Sequence, residues 1–215
     1  MKDIYADIAE LGSPEETLHM GGDEVHIPCW NNTEEIVEKM KENNLDLSTN
    51  SFFKMWSKFH TRNLQSWDEV KQSQFPQITQ PEKVIVWSSH LTEADIIEEF
   101  LPKDRFVIQT WIEGSDPLNQ KLLEMGYQII LSTKDAWYLD HGFWGRTNYY
   151  NWATVYNNRM PAGAGVLGGE TCMWSEYVDG NSVGELKICI DFVDKLYILN
   201  SIQEINIIYL KINIM

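Results

Sequence analysis

The chain has 215 residues, and 32 Asp and Glu against 17 Lys and Arg give it a formal net charge of −15. That balance excludes a nucleic-acid or anionic-membrane surface, since either needs a basic footprint, and a hydrophobic content of 43% excludes a disordered chain. Nine Trp, nine Tyr and eight Phe call for a large core or for a pocket that stacks flat ligands. No apolar run reaches the roughly 18 residues of a membrane-spanning helix. Cys29, Cys172 and Cys189 are an odd number without C-x-x-C spacing, so neither a zinc site nor a self-contained disulfide framework is expected. His26, His60, His90 and His141 show no ligand spacing either; ordinary surface or loop positions are expected for them, and no metal. The N-terminal MKDIYADIAELGSPEE carries no apolar core of a secretory signal, and the single sequon Asn31-Asn32-Thr33 weighs little without one.

Five short apolar runs mark strands: Thr17–Met20, Lys83–Trp87, Phe106–Thr110, Tyr127–Ser132 and Gly165–Gly169. The second to fourth are β-branched or aromatic over consecutive positions, as in parallel strands buried on both faces. Between the first two, Phe52, Met55, Trp56 and Phe59 follow helical spacing behind the capping residues Ser48, Thr49, Asn50 and Ser51. Segment 66–82 is polar and Gln-rich with two Pro, and reads as the loop from that helix to the next strand. Thr92 and Asp95 open a short helix carrying Ile96, Ile97 and Phe100, and Leu118–Met125 forms another that ends at Gly126. Strand and helix alternating at this pitch mean an α/β fold with a parallel sheet. From Lys187 onward the chain changes character: nine Ile fall in 29 residues without Gly or Pro. The organisation expected is a domain over residues 1–182 and an atypical Ile-rich tail over 183–215.

Chemistry concentrates after the first strand, in His19-Met20-Gly21-Gly22-Asp23-Glu24-Val25. Two glycines let the backbone turn tightly, and two carboxylates then leave the strand's C-terminal end. The other strands deliver matching groups. Trp87 closes the second, Trp111 follows the third, Tyr138 and Asp140 follow the fourth, and Trp174 and Glu176 follow the fifth. Aromatic walls with sparse carboxylates suit a sugar, whose C–H face stacks on indole while its hydroxyls seek acceptors.

These pieces resemble the family-20 glycoside hydrolases, the β-N-acetylhexosaminidases, and most of all the insect chitooligosaccharide-degrading type. The matching segments are His19–Val25, Val84–Trp87, Val107–Trp111, Trp137–Asp140, Tyr149–Trp152 and Gly168–Glu176, in family order. The resemblance implies a partial (β/α)8 TIM barrel holding strands 4–8 of the barrel, with strands 1–3 and their sugar-clamping arginine outside this pattern. It implies exo-acting release of terminal N-acetylglucosamine or N-acetylgalactosamine from an oligosaccharide or glycoconjugate, without a cofactor. Retention would be substrate-assisted, the substrate's acetamido oxygen serving as nucleophile. Glu24 would be general acid and base, Asp23 would orient the acetamido N–H, and Tyr138 would donate to the acetamido oxygen. Trp87, Trp111 and Trp152 would wall the acetamido methyl, Trp174 would pack the ring face, and Asp140 and Glu176 would accept from sugar hydroxyls. His19 would support Asp23 from behind.

Close carboxylates discourage joint ionisation, which would raise one pKa and help keep Glu24 protonated. The family's location is lysosomal or extracellular, and a homodimer is compatible with it. A five-strand piece needs the rest of the barrel for closure, so this chain alone is expected to turn over weakly or not at all. The alternative reading is a non-catalytic carbohydrate-binding remnant of such an enzyme.

Overall fold

A computed structural model of the chain describes residues 1–12, 17–78, 80–143 and 145–177. The chain divides into two compact units, residues 1–107 and residues from 108 onward. The Ile-rich tail lies outside the described residues.

In the first unit, α1 (Lys2–Leu11), α2 (Ile27–Asn31) and α3 (Glu34–Glu42) accompany the long α4 (Thr49–Gln74), β1 (Val84–Trp87) and α5 (Ile97–Phe100). Ser48 caps α4 by accepting from the Ser51 amide at 3.3 Å, the role expected for this Ser/Thr/Asn cluster. The helix runs 26 residues and takes in residues 66–74, which the sequence places in a loop. Polar and Gln-rich as it is, that stretch holds neither Gly nor Pro, and Trp67, Val70 and Lys71 continue the buried stripe begun by Phe52 and Trp56. Pro76 follows the end of the helix. Phe59, expected on the stripe, is 52% exposed, and His60 takes the inward position.

Lys71 is buried because its ammonium reaches Glu82 at 3.1 Å and lies over the Trp67 and Phe75 rings. α1 packs on α4 through an edge-to-face contact of Tyr5 with Trp67 at 5.9 Å. Full burial of a side chain such as Phe52 contributes about 1.5–3 kcal/mol, so this stripe is what holds the helix in place.

The segment predicted as the first strand, residues 17–20, is reduced to a parallel bridge between His19 and Ile85. Two hydrogen bonds fasten it: the Ile85 amide donates to the Leu18 carbonyl at 2.9 Å and the Met20 amide to the Ile85 carbonyl at 2.7 Å. The glycines that follow leave the extended region at once, which ends the ladder. Four strands remain, β1, β2 (Phe106–Thr110), β3 (Gln128–Leu131) and β4 (Val166–Gly169), in the order β1-β2-β3-β4.

In the second unit β3 and β4 pair in parallel with a register irregularity between Ile129 and Ile130. α6 (Leu118–Glu124) and α7 (Trp152–Asn157) accompany them. All five residues of β2 are buried, as a strand covered on both faces requires. α7 was not foreseen: six residues long, it is capped by Asn151, which accepts from the Thr154 amide at 3.0 Å.

Candidate active site

In the first unit the backbone does the positioning. Gly21 and Gly22 have φ of 63° and 81°, both in the left-handed region that side chains resist. The His19 imidazole accepts the Gly21 amide at Nδ1, 2.9 Å away, and lies 4.7 Å from the Trp87 ring. The Trp87 amide donates to the Gly21 carbonyl at 3.3 Å. His19 and Trp87 therefore brace the same turn, and from it Asp23 emerges half-buried and Glu24 exposed.

Burial raises the Asp23 pKa above the ordinary carboxylate value and the neighbouring Glu24 charge adds to it, against hydrogen bonds from the backbone of Asp23 and Glu24 that lower it. The raised pKa thus falls on Asp23. His60 departs from expectation. It is 3% exposed rather than on the surface, and a Cβ on Gly22 would overlap its ring.

In the second unit side chains hold one another. Tyr138 sits between two neighbours: the Trp174 indole donates to its hydroxyl, and the hydroxyl donates to the Cys172 thiol. Burial above all, then the Cys172 and Asp140 charges, keep the phenol protonated well above the usual range. The Cys172 thiol, itself pushed up to about 12 by burial, accepts from Ser132 as well. Gln109 in β2 donates to Ser132 Oγ at 2.9 Å and to Glu170 Oε2. Gln109, Ser132 and Cys172 are not among the site residues expected from sequence, because their partners lie up to 61 residues apart.

Asp140 is 2% exposed, and beside it His141, in a turn outside helix and strand as expected, is buried against Tyr138 at 5.1 Å. Trp111 is half-buried with the Lys134 ammonium 5.0 Å from its ring centre. Trp152, at the start of α7, is 62% exposed, and Glu176 is exposed. α7 itself is anchored by Trp137, whose indole donates to the Val155 carbonyl at 3.1 Å and whose ring occupies the space of a side chain at Gly169. The structure thus gathers Asp23, Glu24, His19 and Trp87 in one unit, and Tyr138, Asp140 and Trp174 in the other. Among the described residues no group of three or more His, Cys, Asp or Glu stands ready to hold a metal ion.

Parallel strands with carboxylate and aromatic groups past their C-terminal ends define a domain of the (β/α)-barrel class. The chain belongs to glycosyl hydrolase family 20: the model of that family's catalytic domain matches residues 1–188. The family's catalytic domain is a TIM barrel, and the parallel four-stranded sheet is consistent with part of one. Two similar curated proteins are chitooligosaccharidolytic β-N-acetylglucosaminidases. That of Ostrinia furnacalis is 36% identical over 85% of this chain and 32% of its own length. That of Bombyx mori is 38% identical over 83% of this chain and 31% of its own. The chain spans about a third of the length of these relatives. Among solved structures, the family-20 exo-β-N-acetylglucosaminidase of Vibrio harveyi in complex with N-acetylglucosamine matches with a TM-score of 0.60. It is 16% identical and the match covers 97% of this chain and 35% of that one, a likeness of fold.

Proposed function

We propose that this chain carries the reaction centre of an exo-β-N-acetylhexosaminidase that removes terminal N-acetylglucosamine or N-acetylgalactosamine with retention. Residues 1–182 form its part of the barrel, with segment 17–20 and β1 to β4 standing as strands 4–8. The observation that supports this best is the double left-handed turn at Gly21 and Gly22, which ends in adjacent carboxylates, one half-buried and one open to solvent.

Adjacent carboxylates cannot flank a sugar ring at the ~5 Å separation of an ordinary retaining pair; a nucleophile carried by the substrate removes that demand. In the first step the Glu24 carboxyl gives its proton to the glycosidic oxygen as the C1–O bond breaks. The acetamido oxygen closes on C1 to an oxazolinium. Asp23 accepts the acetamido N–H and stabilises the positive charge. An N–H donor there favours the carboxylate, and so offsets the burial that raises the free Asp23. Glu24, now ionised, takes a proton from water as its oxygen attacks C1, which restores both the carboxyl and the acetamide.

Tyr138, held protonated, is suited to donate to the acetamido oxygen when its hydroxyl turns from the Cys172 thiol. Trp87, Trp111 and Trp152 are assigned to the acetamido methyl, Trp174 to the ring face, and Asp140 and Glu176 to hydroxyls. His19 supports Asp23 through the Gly21 amide.

The test is hydrolysis of a chromogenic N-acetylglucosaminide together with binding of an oxazoline-mimicking thiazoline. Turnover that Glu24→Gln lowers by about 10²–10⁴-fold supports the proposal. Turnover untouched by Glu24→Gln refutes it, and inhibitor binding without turnover makes the chain a carbohydrate-binding element instead.

A further inference from the structure

Beneath the turn that carries the carboxylates lies a buried imidazole which the reaction scheme does not use. His60, on α4, packs its ring among Trp56 at 6.3 Å, Phe59 at 6.1 Å and Phe106 at 6.5 Å. On its remaining side it meets Gly22 so closely that a Cβ there would overlap the ring at Cε1 and Nε2. The ring also hydrogen-bonds the Gly22 backbone, in the sense that favours the protonated ring, as donation to a carbonyl does. Nδ1 is buried and has no hydrogen-bond partner. That leaves Nε2 as the donor.

Three properties set His60 apart from filler. An apolar residue would fill the space without bonding the backbone. A solvent-exposed histidine would give Nδ1 a partner. A buried ring with one nitrogen bonded and one bare is a single-tautomer prop. We propose that His60 is a positioning residue for the Asp23 and Glu24 pair: Nε2–H holds the Gly22 backbone while the ring occupies the space beneath it, so that both carboxylates leave the turn in one fixed direction.

This rests on reading Asp23 and Glu24 as the catalytic pair, but its test does not need turnover. Burial lowers the His60 pKa, and the Gly22 backbone hydrogen bond works against it. The charge that acts on Asp23 is that of Glu24. The prop is therefore readable as the tautomer of one ring and as the titration of one carboxyl.

The experiment is NMR on the full chain with 15N-labelled histidine and 13C-labelled aspartate. In the wild type the His60 ring is expected as the neutral tautomer with Nε2 protonated and Nδ1 bare; protonation at Nδ1 instead would overturn the proposal without any variant. His60→Leu keeps most of the volume and loses the donor, whereas His60→Gln keeps an N–H donor. Asp23 is expected to titrate at its raised midpoint in the wild type and His60→Gln, and to move back toward the ordinary carboxylate value in His60→Leu. If His60→Leu folds and Asp23 titrates as in the wild type, the ring is packing only. Thiazoline affinity separates the two layers. Loss of about tenfold in His60→Leu, with His60→Gln near the wild type, supports the prop, whereas wild-type affinity in His60→Leu contradicts it. Full turnover in Glu24→Gln would sink the underlying function and leave the tautomer result standing.

Discussion

Residues 1–107 and residues 108–177 both carry proposed site groups, and they hold them by opposite means. In the first unit the backbone is the instrument: two left-handed glycines aim the carboxylates, and the His19 and His60 rings fasten the turn through amide and carbonyl contacts. In the second, the chain Trp174–Tyr138–Cys172–Ser132–Gln109–Glu170 is built of side chains that bond one another across distant parts of the sequence. The difference suits the roles proposed for the two sets of groups. A carboxylate that serves as acid and base has to be reachable, so it is placed on a stiff turn near solvent. A phenol that has to stay protonated is served by burial, and buried polar groups need partners.

The contrast breaks first, and by the largest margin, at the glycines. Gly21→Ala meets no atom within 4 Å and costs only the left-handed backbone, about 1–2 kcal/mol. Gly22→Ala incurs the same cost and also displaces the His60 ring, about 1–3 kcal/mol more. Urea midpoints of the two variants should differ accordingly; equal losses would show that His60 yields freely. In the second unit Gln109→Leu leaves the buried Ser132 and the Glu170 carboxylate without that donor and should cost about 1–3 kcal/mol, read by the same unfolding curves. A cost near zero there would mean that the side-chain network does not hold the unit.

Acid sharpens the comparison further. The folded-state pKa of His60 lies below the ordinary value near 6.5, so the folded chain binds fewer protons than the unfolded one in that window. Its contribution to stability is complete above pH 6.5 and declines as pH falls through the lowered value. Asp23 has the opposite sign. Raised above 3.8, it favours the folded state while protonated, and that contribution is lost as pH rises through its folded value. His60→Gln should flatten the loss of stability as pH falls below about 6.5, as followed by urea unfolding at each pH. The smallest effect belongs to the Ser48 cap: Ser48→Ala should cost about 1 kcal/mol without altering the carboxylates.

The first unit's turn is legible in the sequence because it is local. His19 to Val25 is one uninterrupted motif, and the two glycines before two acids state their geometry almost directly. The sequence does not reveal His60, because a histidine at an inward helical position is told from a surface one only by what lies across from it, here Gly22. It misplaces the end of α4 for a related reason. Residues 66–74 look polar, but Lys71 enters the core by pairing with Glu82 and lying over two rings. In the second unit Tyr138 and Trp174 were legible at strand ends, whereas their connection through Cys172 depends on the pairing of Tyr138 with Cys172 beyond the strands. The run at residues 17–20 was legible as extended chain, yet how far its ladder continues is decided by the glycines and by the neighbour at Ile85.

The central claim is that Asp23 and Tyr138 each act on an N-acetylated sugar. Calorimetric titration of the thiazoline mimic of N-acetylglucosamine into the wild type, Asp23→Asn and Tyr138→Phe tests it most directly. Loss of affinity by tenfold or more in each variant, about 1.4 kcal/mol or more, is the predicted result. Equal affinity in all three proteins, or loss from only one of the two substitutions, would contradict it.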